Sequence, residues 1–199
     1  VVEDRHLRQA LLKSLADTDV AYFPEVEIVK QTLNGPNAIV ELNNETSLFS
    51  SVLIGADGQN SRVAAAAGIN RIGWDYGQSS LVCAVKHQNP HHSIAYQHFL
   101  PAGPLAILPL TGNRSGIVWT EKSETASVIH SLKSDEYLDA LLPRFGKFMG
   151  NISLVGNRYM YPLKLSTTHR MIGTRLALVG DAAHSVHPIA GQGLNAGFK

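Results

Sequence analysis

Two apolar runs in this sequence end in an aspartate beside a glycine. One is "SVLIGADG", closing on Asp57-Gly58, and the other is "RLALVGDAAH", carrying Gly180-Asp181. A carboxylate at the end of a strand accepts hydrogen bonds from sugar or polyol hydroxyls, and neighbouring glycines let the backbone approach a flat ring closely. After Asp181 the chain runs "HSVHPIAGQGLNAG", where Gly191-Gln192-Gly193 opens a helix. The free N–H groups of such a helix start attract anions and electron-rich oxygens. Each stretch also has a plain alternative: a Gly-rich structural turn for the second, and one of the commonest turns for Asp57-Gly58. Together the two aspartates, 124 positions apart and flanking a β-rich stretch, form a pattern that few folds produce by chance.

Other candidates carry less chemistry. His184 and His187 are spaced as two metal ligands on one helical face, but no third ligand lies at motif spacing and Pro188 interrupts a helix there, so no metal site is expected. His91-His92 follows Pro90 and reads as a loop. Trp74, Tyr96, Trp119 and Tyr159 suit either an aromatic pocket or a core, and core is the expectation. The sequence holds no Gly-x-Ser-x-Gly elbow and no Cys-His pairing, and it identifies no catalytic acid or base.

The elements that must position the aspartates are legible from periodicity. Leu7, Leu11 and Leu15 predict an amphipathic helix over residues 3–16 that packs against a sheet. Val26 to Thr32, the turn 34–37 ("NGPN") and Ala38 to Leu42 predict a hairpin. "SVLIGADGQNS" reads as a buried strand entering a turn, followed by a short helix through alanines 64–67, capped by Asn60 or Ser61 and ended by Gly68. From Trp74 to Leu165 the texture is that of an antiparallel sheet, interrupted by a helix over residues 134–148 that opens on Ser134-Asp135-Glu136. "RLALVG" then reads as a buried strand leading into the terminal motif.

Composition bounds the rest. Of 199 residues 44% are hydrophobic, the formal net charge is +1, and no Lys/Arg cluster suits a nucleic-acid groove. Cys83 is the only cysteine, which excludes an intrachain disulfide and fits a reducing, cytoplasmic compartment. The longest apolar stretches, such as Leu105 to Leu110, fall short of the ~20 residues of a transmembrane helix, which leaves peripheral membrane association open. The opening "VVEDRHLRQALLKSL" starts inside an amphipathic pattern, so the chain reads as the central piece of something longer.

Taken together, Gly180 to His184, Val186 to Pro188 and Gly191 to Asn195 resemble the class A flavoprotein monooxygenases, the para-hydroxybenzoate hydroxylase-like family, and most closely its ubiquinone-biosynthesis hydroxylase branch. "QHFLPAGPLAILPL" (Gln97 to Leu110) and "YPLKL" (Tyr161 to Leu165) are similar to that branch too. The resemblance implies an α/β (α+β) fold: a Rossmann-like FAD-binding domain in residues 1–70 and 169–199, interrupted by an antiparallel-sheet substrate domain in 71–168. It implies that Asp181 holds the ribityl chain of FAD, and that Pro188, Gly191, Gln192, Gly193, Leu194 and Asn195 lie against the flavin ring. It implies that Asp57 and Gly58 belong to the motif shared between the FAD pyrophosphate and NAD(P)H. Arg5 matches an arginine that reaches the flavin; a salt bridge or a solvated arginine is the equal alternative.

Two features depart from the family. The family's Asp-Gly-x-x-Ser-x-x-Arg has Ala64 in its last position, with Arg62 two residues early, and the chain holds no Gly-x-Gly-x-x-Gly turn. The activity implied is hydroxylation of a polyprenylated phenol in ubiquinone biosynthesis, consuming NAD(P)H and O2. The alternatives are a non-catalytic binding or assembly module of a quinone-synthesis complex, and a hydroxylase of another aromatic.

Overall fold

Alternating apolar residues build the larger of two cores in the computed structural model, which describes residues 2–187 and 191–198. Strands β5 (Arg71–His87), β7 (Gly103–Leu110) and β8 (Arg114–Lys122) bury Leu81, Cys83, Val85, Leu105, Ile107, Ile117 and Trp119, every second residue along each strand. Antiparallel register sets Trp119 opposite both Leu81 and Leu105. β6 (Tyr96–Leu100) extends the sheet beyond β7, and β9 (Ile152–Thr168) flanks β5 on the other side, giving the order β9-β5-β8-β7-β6.

Two helices supply the rest of this core. α3 (Ser123–Ser131), which sequence reading did not anticipate, contributes Ala126 and Ile129. α4 (Ser134–Phe145) contributes Tyr137, Leu141 and Phe145, spaced one turn apart. Ser134 is its first helical residue rather than its cap: the Lys133 backbone N–H donates to the Glu136 carboxylate at 3.0 Å. The helix stops at Phe145, short of the expected 148, because Gly146 adopts φ 88°.

Helix α1 (Asp4–Ala16) forms as expected, but the expectation that it packs on a sheet fails: none of its residues is buried and Leu11 is 60% exposed. Glu3, just before it, pairs with Arg114 of β8 at 3.6 Å, and residues up to 20 group with 77–163 in one compact unit.

The second unit holds residues 21–76 and 164–199. Its hairpin forms as predicted, with β1 (Ile28–Thr32) antiparallel to β2 (Ala38–Leu42), and β3 (Ser47–Ser50) adds a third strand. A second small sheet runs in the order β10 (Ile172–Gly173), β11 (Leu176–Leu178), β4 (Leu53–Gly55). Helix α2 (Arg62–Ala66) packs on it through a core of Val63, Ala64, Ile69, Leu176, Leu178 and Ala183. β12 (His184–Ser185) pairs with Ser166 and Thr167 at the end of β9.

These packing limits, after residues 20, 76 and 163, differ from the limits after 70 and 168 drawn from the sequence. The physical reason is that β5 and β9 are unbroken strands of 17 residues each, so no loop marks a boundary. The four aromatics also divide. Trp119 is fully buried and Tyr96 packs at the core's edge, whereas Trp74 (58% exposed) and Tyr159 (50%) are not core residues: Trp74 stands on the part of β5 before its buried stretch, and Tyr159 is turned to the opposite face from its neighbours Arg158 and Met160, which meet α4 and α3.

Candidate functional site

Both aspartates are delivered to one sheet edge. β4 and β11 are parallel, with Gly55 opposite Leu178, so Asp57 and Asp181 each follow the C-terminal end of neighbouring strands. Gly55 has to be glycine: a Cβ there would stand 2.8 Å from Leu178 Cδ2 and 3.0 Å from Val63 Cγ1, between the strand pair and α2. The Val179 N–H donates to the Gly55 carbonyl at 2.9 Å and continues the ladder to the edge.

The two carboxylates then have different fates. Asp57 turns onto the start of α2, accepting from the Ser61 hydroxyl at 2.6 Å and the Val63 N–H at 3.1 Å, while Ser61 Oγ accepts from the Ala64 N–H. Burial alone would raise the Asp57 carboxyl; the hydrogen bonds from Ser61 and Val63 outweigh it and hold the group below the usual carboxylate range. Its first role is therefore helix capping. Asp57→Ala is expected to cost about 1–2 kcal/mol in urea unfolding at neutral pH. Because the folded-state value is the lower one, this stabilisation is present above the unfolded value of about 4 and fades as pH falls through the folded value. The gap between wild type and variant should therefore close below about pH 4, when urea unfolding is repeated in acid.

Asp181, in the 3-10 turn Gly180–Ala182, is exposed, and its carboxylate has no hydrogen bond or ion pair among the described residues. Its backbone is clamped instead. Arg71 donates to the carbonyls of Asp181 at 3.1 Å and Ala182 at 2.6 Å, and to the Ser166 hydroxyl at 2.7 Å. Gln59 of the first motif donates to Ser185 of the second at 2.6 Å, which ties the two loops together. Arg71 and Gln59 were not anticipated; their partners lie 95 to 126 residues away, so no local pattern marks them.

Two glycines of the terminal motif adopt left-handed backbone conformations. Gly180 and Gly191 have φ 56° and 63°, and Gly191 caps α5 (Gln192–Gly197) in the left-handed region. A Cβ on Gly197 would sit 3.3 Å from the Gly180 Cα, so α5 returns close to the turn that holds Asp181. Gly58 (φ 82°) and Gly193 face open space, Leu194 is exposed, and Asn195 donates to the Gly191 carbonyl at 3.4 Å. Pro188 lies outside the described residues, as does the Gln192 side chain. Arg5 belongs to the other compact unit and pairs with Glu3 at 2.8 Å. The departure at position 64 has a packing basis: Ala64 is 2% exposed inside the small core, while Arg62 points outward to Glu27 at 2.9 Å.

Beside this edge stand aromatic rings. The His187 imidazole meets Tyr76 edge-on at 5.2 Å, and Tyr76 meets Trp74 edge-on at 6.3 Å. Burial lowers the His187 pKa, which favours the uncharged imidazole.

A family model described as "FAD binding domain" matches residues 4–199. The chain belongs to the FAD-binding domain family. Among relatives of this FAD-binding chain, the ubiquinone hydroxylase UbiL of Rhodospirillum rubrum is 41% identical over 202 residues, covering 100% of this chain and 47% of the relative. The mitochondrial ubiquinone biosynthesis monooxygenase COQ6 of Rattus norvegicus is 33% identical, covering 83% and 42%. The chain thus spans about half the length of the curated relatives it matches. The solved structure of PqsL from P. aeruginosa in complex with 2-aminobenzoylacetate superposes with TM-score 0.80 at 22% identity, over 96% of this chain and 55% of that one. The flavin-dependent halogenase CmlS superposes with TM-score 0.83 at 14% identity, over 98% and 38%. These two likenesses establish a shared fold.

Proposed function

We propose that this chain is part of an FAD-dependent aromatic-ring hydroxylase that consumes NAD(P)H and O2 and acts on a polyprenylated phenol in ubiquinone biosynthesis. The observation that carries the reading is the strand edge where Asp57 is spent on capping α2 and Asp181 keeps an exposed carboxylate with no partner among the described residues. That edge fits a polyhydroxylated chain joined to a flat ring. Asp181 would accept hydrogen bonds from ribityl hydroxyls, Gly191 and Gly193 would let the start of α5 approach the ring, and Arg71 would hold the Asp181 turn in place. Asp57 and Gly58 would border the pyrophosphate side. When bound, FAD supplies the two-electron redox chemistry by which NAD(P)H and O2 are consumed. The protein's share is to position the ring, exclude water and seat the phenol.

The choice of substrate rests on similarity to UbiL and COQ6, whose names give ubiquinone hydroxylation and biosynthesis. The antiparallel unit is read as the substrate wall. A prenylated substrate partitions into lipid, so the same reading gives an enzyme in peripheral contact with a membrane; no helix among the described residues is long and apolar enough to cross one.

Purified full-length protein tests this. It should be yellow, and a short-tailed prenylphenol should stimulate both NAD(P)H oxidation and O2 uptake. Colourless protein with no phenol-dependent oxidation overturns the proposal and leaves the assembly-module reading, which restored quinone production by a parent carrying Asp181→Ala would support.

A further inference from the structure

Strand alternation sets Ile72, Trp74 and Tyr76 on one face of β5 and Arg71 on the other. The row continues from Trp74 through Tyr76 to His187 by two edge-on contacts, with interplanar angles of 77° and 80°. It therefore ends inside the terminal motif. Ile72 and Trp74 are 63% and 58% exposed, so an aromatic and apolar strip lies uncovered next to the candidate cofactor edge. His187 Nδ1 is buried with no hydrogen-bond partner among the described residues. A buried polar atom left unmatched is a standing cost that a ligand hydroxyl relieves. An uncharged imidazole has one accepting and one donating nitrogen, which suits a neutral hydroxyl. Of the two cations that share a pocket with Ile72 and Trp74, Arg71 is committed to Ser166, Asp181 and Ala182, and Lys164 is paired with Asp75 at 3.5 Å. The row thus suits a neutral phenol rather than a carboxylated ring.

We propose that this row is the ring-recognition end of the substrate site: His187 hydrogen-bonds the phenolic hydroxyl, while Tyr76 and Trp74 seat the ring and the first carbons of its apolar tail. The proposal rests on the aromatic-hydroxylase reading above and adds the residues that select the head group.

The test compares 2-prenylphenol with its methyl ether by calorimetry on full-length flavin-loaded protein, without NAD(P)H so that no turnover occurs. Wild type should bind the phenol at least about tenfold tighter than the ether, because a site built around a hydroxyl penalises its loss. His187→Phe keeps a ring and should abolish that preference. His187→Gln keeps an acceptor and should retain most of it, and Tyr76→Leu should weaken both ligands by a similar factor. A His187→Phe protein that retains the phenol preference overturns the proposal. If that variant does not fold, His187→Gln and Tyr76→Leu decide: unchanged affinity for both ligands in Tyr76→Leu overturns it equally. A wild-type enzyme that oxidises NAD(P)H with phenol while these variants behave as wild type sinks this inference alone; absence of any phenol-dependent oxidation in wild type sinks the underlying function.

Discussion

Asp181→Ala in the full-length protein is expected to give a folded chain that has lost its flavin. The exposed Asp181 carboxylate has no partner among the described residues, so truncating it removes none of the contacts that hold those residues together. The clamp on its backbone, from Arg71 to the carbonyls of Asp181 and Ala182, is indifferent to the side chain. All of the loss should therefore fall on the ligand. Hydrogen bonds to a charged group contribute about 1.5–3 kcal/mol each. One or two of them to ribityl hydroxyls give about 3 kcal/mol, or roughly a hundredfold in Kd. The flavin-to-protein absorbance ratio after gel filtration reads the binding, and the melting temperature of flavin-free protein reads the fold. Full flavin retention, or a flavin-free melting temperature well below wild type, would show that Asp181 is a structural residue. Asp57→Ala provides the contrast, since its carboxylate caps α2 and its loss should appear first as instability.

The difference between these two aspartates marks the limit of what the sequence could tell. Both strand ends were legible, because two apolar runs each ending in an aspartate beside a glycine carry together a signal that neither turn carries alone. That the strands are parallel neighbours, and that one carboxylate folds back onto Ser61 and Val63, depends on chain geometry that the spacing of 124 does not contain. Local signals did well where the physics is local: the turn 34–37 reverses the hairpin, Ser61 caps α2, and Gly68 follows it with φ 65°. They failed where burial is decided from afar. Helix α3 begins after Lys122 with no side-chain cap and carries two buried residues in nine, too few for a visible stripe. Trp74 looks like a core residue by type, yet it stands on the part of β5 beyond the reach of α3 and α4. Arg71 looks like an ordinary surface cation until the chain returns, 95 residues later, to bring Ser166 and then Asp181 to it.

The largest stability loss is expected at Trp119, and the size of the substituent should decide it. The indole is fully buried, opposite Leu81 and Leu105 across two strand pairings, and packs edge-on against Tyr137 at 6.1 Å. The Arg144 guanidinium lies 4.8 Å from the indole ring centre and also pairs with the buried Glu121 at 3.6 Å. Trp119→Ala empties the centre of the larger core and strips the aromatic face from Arg144, so urea unfolding should show a loss of about 4–5 kcal/mol. Trp119→Phe should cost only about 1–2 kcal/mol: it keeps a ring for Tyr137 and Arg144, and the indole N–H it deletes has no acceptor among the described residues. Packing and hydrogen bonding thus predict different orders for the two variants. If Phe proved as damaging as Ala, the indole N–H would have to be engaged in a hydrogen bond, and ring packing would not be what Trp119 contributes to this core. The Glu121 pair adds a second discriminator, because Arg144→Met keeps an aliphatic stem over the indole while leaving the buried Glu121 carboxylate without its cation, so urea unfolding should show a loss that the packing of the indole alone does not produce.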